Sequence, residues 1–317
     1  MRIHTQAGEF ERTHFELATA EELLTQLSPL HPWWHRNSQQ HPASWLFRGQ
    51  SNAAWGLTPS LLRPGAIPPG PEGSGNRRRF EVLALREFIQ RVDEQGLFIP
   101  EDSQELRDPT WRKYALDSYE EMSSKGYSMD EVWPPLNQLS NLALAQHYGI
   151  PTVLLDWCRR PLVAAYFAAA DAAARPHGGR LSVWIIREII VQKCCSNFIP
   201  QALVVTAPYA SNPNLRAQQG VFTVVRTTGY DPPPNIDEVL SHAVSHRLAD
   251  YDVAIGWNLP DLCKFTVPAS EAPKLLRLLA MHGMTAASVF PGYAGVVLAM
   301  NERRLWDEPY HEAFMLP

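Results

Sequence analysis

The stretch Ser44-Trp-Leu-Phe-Arg-Gly-Gln-Ser51 decides how this chain is read. Side chains alternate along an extended segment, so Trp45 and Phe47 share one face while Leu46, Arg48 and Gln50 share the other. Arg48 is thereby aimed at the same side as an apolar neighbour, on what reads as a buried strand. An isolated buried charge costs on the order of several kcal/mol. The arginine must therefore be paired or bind an anion. Its planar guanidinium suits bidentate contact with phosphate or carboxylate, and Gln50 sets an amide beside it. Gly49 lets a ligand or another backbone come close. The segment reads as the floor of a site.

Farther along, Gln146-His-Tyr-Gly-Ile-Pro-Thr-Val-Leu-Leu-Asp-Trp157 answers it. Asp156, set among Leu154, Leu155 and Trp157, is the expected partner of Arg48. A structural ion pair and an anion site are compatible, because a site arginine also needs orienting. Gln146, His147 and Tyr148 end a helix at Gly149, where polar side chains can project into a cleft. His147 there is either a base or a cap on the helix C-terminus. A third cluster runs from Asn212 to Thr223. Its Arg216, Gln218 and Gln219 lead into a strand, at a loop–strand junction of the kind that often serves a ligand. Phe290-Pro-Gly-Tyr-Ala-Gly295 contains no acidic residue and reads as scaffold ahead of an apolar helix.

Composition bounds the function. The chain has 317 residues, 45% of them apolar, enough for a large core; it reads as one elaborate domain over residues 1–317. A net charge of −5 argues against a broad electrostatic nucleic-acid surface. Cys158, Cys194, Cys195 and Cys263 show no C-x-x-C spacing, and free thiols in a reducing cytoplasm are expected. The first ten residues include Arg2, His4 and Glu9 and lack the apolar run of a signal peptide. The longest apolar run, about 161–170, is too short to span a bilayer, so no membrane partner is expected. There is no phosphate-binding G-x-x-x-x-G-K-[ST], no G-x-G-x-x-G after a strand, no H-E-x-x-H and no G-x-S-x-G. The eleven histidines are scattered. His242 and His246 are four apart on an expected helix but have no cysteine or carboxylate companions, so no metal site is expected. A nuclease or other metal-dependent hydrolase is accordingly the least favoured class.

The pattern predicts α+β architecture, with a helical N-terminal part packed on a mixed or antiparallel sheet. A first helix should start after Thr19, with Glu22 completing a capping box. Helices are expected at 79–95, 105–124, 135–148, 161–174, 235–248 and 270–283, the last capped by Ser270 and the fourth opened by Pro161. Strands are expected at 153–157, 181–186, 202–206, 220–226 and 262–267. Residues 64–75, rich in Pro and Gly, should form a surface loop, with Arg77-Arg78-Arg79 as the solvated start of the next helix.

Taken together, Phe47-Arg48-Gly49-Gln50, Trp55-x-Leu57-x-Pro59-Ser60-Leu61-Leu62-Arg63, Ala145-Gln146-His147-Tyr148-Gly149-x-Pro151-Thr152, Leu154-Leu155-Asp156-Trp157 and Pro161–Ala168 resemble the bacterial FRG domain. The resemblance covers about residues 44–170, followed by a strand-rich second half at about 180–300. The chain departs from the family's Thr-Arg-Leu-Leu-Asp-Trp-Thr pattern at Val153, which replaces the arginine, and at Cys158, which replaces the last threonine. The family's frequent setting beside phage-defence and toxin–antitoxin genes implies an intracellular toxin or defence effector, with an antitoxin as a partner in the toxin–antitoxin case.

The aromatic-Arg-Gly strand also resembles the first strand of arginine-type ADP-ribosyltransferases. That second resemblance implies an ADP-ribosyltransferase-like core and NAD as substrate. Arg48 would sit on the NAD phosphate, with Gly49, Gln50, Gln146, Tyr148, Asp156 and Gln218 around the ligand. His147 and Gln219 would be catalytic, and the target would be protein or nucleic acid. Cys158, followed by Tyr166 and Phe167, falls where the second motif of those enzymes would lie. Gln218-Gln219 takes the place of their Gln/Glu-x-Glu motif. An amide can hydrogen-bond a ribose hydroxyl but cannot act as a base. The competing expectation is a non-catalytic module that senses a nucleotide or a nucleic acid.

Overall fold

In the computed structural model, which describes residues 2–6, 12–35, 45–67, 77–107, 132–188, 191, 201–228, 236 and 262–307, the arginine-bearing segment is strand β3 (Trp45–Gln50). It runs inside a sheet of eight strands among the described residues. The others are β1 (Arg2–Gln6), β2 (Arg12–Glu16), β4 (Leu155–Cys158), β5 (Arg180–Arg187), β6 (Gln201–Val205), β7 (Gly220–Arg226) and β8 (Leu262–Pro268). Their order is β1-β2-β8-β5-β3-β4-β7-β6. Only β2 and β8 pair in parallel; the remaining neighbours are antiparallel. The sheet is mixed, as expected. The division into helices first and strands later is not: β1 and β2 lie ahead of the first helix, were not foreseen, and extend the sheet beyond β8.

One seam of this sheet is incomplete. β3 matches β5 through six registered pairs, from Trp45↔Arg187 to Gln50↔Ser182. Toward β4 a single pair, Phe47↔Cys158, is registered. Past it the two strands continue, as Arg48-Gly49-Gln50 and as Trp157-Asp156-Leu155, without laddering to each other. The sheet is therefore split between β3 and β4, although β4 is fully laddered to β7 on its other side.

Helices pack on the sheet face that carries Trp45, Phe47, Phe222 and Val224. α1 (Ala20–Leu27) begins as read: the Thr19 hydroxyl accepts from the Glu22 N–H at 3.2 Å. The Glu22 carboxylate returns to the Ala18 N–H rather than to that of Thr19. α2 (Arg77–Glu94), α3 (Leu139–His147) and α4 (Pro161–Ala174) follow. α5 (Pro213–Gln218), α6 (Ala272–Met281), α7 (Ala286–Val289) and α8 (Tyr293–Arg303) come after them, and single helical turns form at Pro32–His35, within a stretch read as loop, and at Gln104–Arg107. α4 opens on Pro161, as expected, and lays a buried face of Ala164, Ala165, Ala168, Ala169 and Ala172 on the side of β3 that carries Trp45 and Phe47. The small side chains let helix and strand approach closely. A Cβ at Gly49 would lie 1.9 Å from the Ala164 carbonyl oxygen and 2.8 Å from the Ala168 nitrogen. Of the two uses foreseen for Gly49, close approach of another backbone is the one seen. Leu46 packs on the opposite face with Leu155, Trp157, Trp184 and Val221.

Several boundaries differ from the sequence reading. The predicted helix 135–148 splits into a 3-10 turn, Leu136–Gln138, followed by α3, and Leu136 is left exposed. Ser270 does not cap α6; it sits inside a 3-10 turn, Ala269–Glu271, and Glu271 takes the cap position. Arg78 is not solvated but buried, beside Glu81. Residues 213–218, read as loop, form α5, because the Asn212 side chain caps the Leu215 N–H at 2.9 Å and Pro213 suits the first turn. Of the helix expected at 105–124 only its start is described, within the short helix Gln104–Arg107. The bulk of the 64–75 loop, the 235–248 helix with His242 and His246, and Cys194 and Cys195 lie outside the described residues. Cys158 and Cys263 are free and buried. No helix among the described residues is long and apolar enough to cross a membrane.

Glu81, fully buried on α2, ties that helix to the entrance of β4. Its carboxylate accepts the Trp133 indole N–H at 2.7 Å and the Val153 N–H at 2.6 Å. Burial pushes its pKa up from 4.5 to about 7, against the pull of these bonds and of Arg78. Between those two values the folded chain holds a proton that the unfolded chain has released. The stabilisation is thus complete below pH 4.5 and lost as pH rises through 7. Unfolding free energy should fall over that window by no more than about 1.4 kcal/mol per pH unit for one proton. Glu81→Gln should remove that slope in denaturant titrations at several pH values; an unchanged slope would contradict the assignment. Gly49→Ala should cost about 1–3 kcal/mol or more, the usual penalty of overpacking, because both obstructing atoms are backbone. A denaturation midpoint equal to the wild type would refute the close approach.

Candidate functional site

The split between β3 and β4 opens into a cleft of about 990 Å³. Arg48 lies at its floor with a side chain only 12% exposed. Its Nη1 donates to the Asp156 backbone carbonyl at 2.6 Å and stands 3.6 Å from the Asp156 Oδ2. The guanidinium thus occupies the place where β3 would otherwise ladder to β4. Burial lowers its pKa, Asp156 counters this, and the neighbouring Arg63 reinforces it. The buried Nε has no hydrogen-bond partner among the described residues. Arg63, exposed and tethered through Nε to the Thr58 carbonyl at 3.2 Å, brings a second guanidinium to the same cleft.

Asp156 corrects the sequence reading. Flanked by Leu155 and Trp157, it looked buried, yet its side chain is 58% exposed. Alternation explains this. Leu155 and Trp157 point into the core on one face of β4 while Asp156 points from the other into the open seam. Its Oδ1 accepts the Gln146 amide at 2.7 Å, and Gln146 in turn accepts from the Thr152 hydroxyl. Gln146 therefore works as a strut that orients Asp156.

His147 and Tyr148 reach the cleft from the end of α3, which stops as predicted at Gly149 with φ 93. Burial lowers the His147 pKa, with Asp156 opposing the shift, so its imidazole is neutral at pH 7. Tyr148 is 67% exposed, its ring edge-on to His147 at 5.1 Å. Gln50 lines the cleft with its amide already committed: Oε1 accepts the Trp184 indole at 2.7 Å, and Nε2 donates to the Gly56 carbonyl at 2.9 Å. It shapes the loop that follows β3.

Of the two glutamines at the α5–β7 junction, Gln218 borders the cleft and donates weakly to the Val289 carbonyl at 3.3 Å. Gln219 is not among the residues that line it. It takes the left-handed C-cap of α5, φ 47, and its carbonyl accepts the Arg159 N–H. Cys158 is buried, its thiol held by the Phe47 and Arg160 carbonyls and pushed up to about 12 by burial, so it is neither ionised nor nucleophilic. Phe167 lines the cleft, whereas Tyr166 is buried and donates to Glu302 at 2.5 Å.

Sequence reasoning missed Arg63, Trp55, Asp171 and Phe290, all on the cleft. Phe290, read as scaffold, packs on Phe167 with ring centroids 5.9 Å apart and closes one wall. Trp55 and Arg63 stand in the quoted family motif, which was the available signal. No group of His, Cys, Asp and Glu among the described residues is placed to hold a metal ion.

With this geometry in place, comparison with protein families matches residues 43–176 to the FRG domain. That span includes β3, the Trp55–Arg63 segment, α3, β4 and α4, and with them most of the cleft. Comparisons with curated proteins and with solved structures give no match.

Because Asp156 is exposed and Arg48 is held chiefly by a backbone carbonyl, Asp156→Ala should cost about 1 kcal/mol or less, the range of exposed pairs. A fully buried pair would lose about 3–5 kcal/mol. Urea unfolding decides between them, and a loss in the higher range would mean that the carboxylate, not the carbonyl, holds the arginine.

Proposed function

We propose that the cleft binds NAD through its phosphates at Arg48, and that the chain transfers ADP-ribose from NAD to a protein or nucleic-acid target. The observation that carries this reading is the guanidinium of Arg48, nearly buried at the floor of the cleft and held in place by Asp156. A second cation, Arg63, supports two phosphates rather than one. The resemblance of the aromatic-Arg-Gly strand to the first strand of arginine-type ADP-ribosyltransferases supports this reading.

In such a transfer the bond between the ribose C1′ and the nicotinamide nitrogen breaks, and nicotinamide leaves with the bonding electron pair. A nucleophile on the target then bonds to C1′ and gives up its proton. Most of the work is positioning and charge stabilisation. His147, kept neutral by burial at the cleft wall, is the available proton acceptor. Asp156 supplies negative charge toward a developing oxocarbenium ion. The setting of FRG domains suggests an intracellular toxin or defence effector.

A second reading has an observation of its own. No glutamate among the described residues lines the cleft, and Gln219, which would stand for the catalytic position, is turned to the α5 cap. A module that binds the nucleotide without cleaving it fits those two facts.

Calorimetry with millimolar NAD tests the binding, and release of nicotinamide in the presence of cell lysate tests the transfer. A charge-assisted phosphate contact contributes about 1.5–3 kcal/mol. Arg48→Ala should therefore weaken NAD binding by roughly tenfold to a hundredfold. Arg48→Lys should restore part of it, since the ammonium keeps the charge and loses the fork. Binding without nicotinamide release supports the second reading; absence of NAD binding to the wild type removes both as stated for NAD.

A further inference from the structure

Trp55 is 51% exposed, an unusual position for the largest apolar side chain, and it stands on the cleft. The loop that presents it is pinned from several sides. The Ala53 N–H donates to the Arg180 carbonyl at 2.7 Å, and the Ala53 carbonyl accepts the Lys264 ammonium at 2.8 Å. The Asn52 side chain accepts the Ala54 N–H at 2.9 Å, and the Trp55 N–H closes a turn on the Asn52 carbonyl. On the far side the buried Gln50 amide holds the Gly56 carbonyl. Leu57, next in sequence, is fully buried. Anchors thus fall on both sides of Trp55, while its indole is left largely in solvent.

Ordering a backbone costs conformational entropy, and leaving an indole in water forgoes the gain of burying it. Both are accounted for when a flat, apolar partner completes the surface. The partner is constrained by what lies beside it. Arg48 and Arg63 border the same cleft and call for phosphate, and Tyr148 adds another exposed ring. A molecule that joins anionic groups to a flat aromatic ring is a nucleotide.

We propose that Trp55 is the base-stacking platform of the cleft, receiving the aromatic base of a nucleotide whose phosphates lie toward Arg48 and Arg63. This rests on the reading of the cleft as a nucleotide site and deepens it by assigning the base. Stacking explains why the position carries a large aromatic ring rather than a hydrogen-bonding side chain, and it tolerates any base, because every base has a π face. Selectivity for NAD over other nucleotides then comes from the phosphate spacing and the ribose contacts.

The experiment compares inorganic pyrophosphate, ADP and nicotinamide mononucleotide by calorimetry on the intact chain, for the wild type, Trp55→Ala, Trp55→Phe and Arg48→Ala. Trp55→Ala should weaken ADP, nicotinamide mononucleotide or both by about tenfold, equivalent to about 1.4 kcal/mol, and leave pyrophosphate unchanged. Trp55→Phe should recover much of the loss. Whichever of the two nucleotides responds identifies the stacked base as adenine or nicotinamide. Arg48→Ala should weaken all three ligands. Unchanged pyrophosphate binding by Trp55→Ala also shows that the variant is folded. If both nucleotides bind the wild type and neither is affected by Trp55→Ala, the platform is refuted while the nucleotide site stands. If no ligand binds the wild type, the nucleotide reading itself falls, and the platform with it.

Discussion

A single hydrogen bond, from the Arg48 guanidinium to the Asp156 carbonyl at 2.6 Å, holds open the seam on which the site depends. In a continuous sheet that carbonyl would accept a backbone N–H from β3. Here the two strands part after Phe47↔Cys158, and a side chain takes the place of the ladder. An unpaired carbonyl inside a sheet is costly, so the seam persists only if something satisfies it. Arginine can do so and still have donors to spare. The same residue therefore closes the backbone account of β4 and furnishes the floor of the cleft.

The surroundings enforce this arrangement. α4 rests closely on β3 at Gly49. On the opposite side β3 is locked to β5 over its whole length. β4 is likewise laddered to β7, and its approach is tied to α2 through the bond between Glu81 and the Val153 N–H. With each strand fixed to its outer neighbour, the split cannot collapse. Burial of Arg48 lowers its pKa and thus opposes its charged form, which an anion in the cleft would relieve.

Much of this was legible in the chain. Period-two alternation placed Leu46 and Arg48 together and Trp45 and Phe47 apart, and the structure keeps both groupings. The helix stop at Gly149 and the proline start at Pro161 were local signals with local causes, and both hold. What failed was information that is not local. β1 and β2 become strands by pairing with each other and, through β2, with β8 far along the chain. Asp156 was judged by its sequence neighbours, whereas strand neighbours point to the opposite face. Phe290 contributes through contact with Phe167, which no spacing within residues 290–295 reveals. The fate of Gln219 was set by the left-handed cap needed between α5 and β7, a constraint that appears only once residues 213–218 are known to be helical.

Among the described residues two arginines and two aspartates border the cleft, and they differ in how much of their charge reaches it. Asp171 is already engaged, accepting the Ser51 hydroxyl and pairing with Arg175 outside the cleft. Asp156 is more than half exposed, so water and salt weaken its field. Arg48 is nearly buried, in surroundings of lower effective dielectric where the field of a charge carries further. His147 is neutral and offsets neither sign. Equal numbers of charges thus leave a positive floor, because the two signs differ in exposure and in prior commitments. A phosphate entering the cleft loses its hydration but meets a guanidinium that has already lost its own, so the desolvation of Arg48 falls on folding and not on binding. Nothing about the count of acidic and basic residues in the sequence conveys this; it follows from where the seam places each of them.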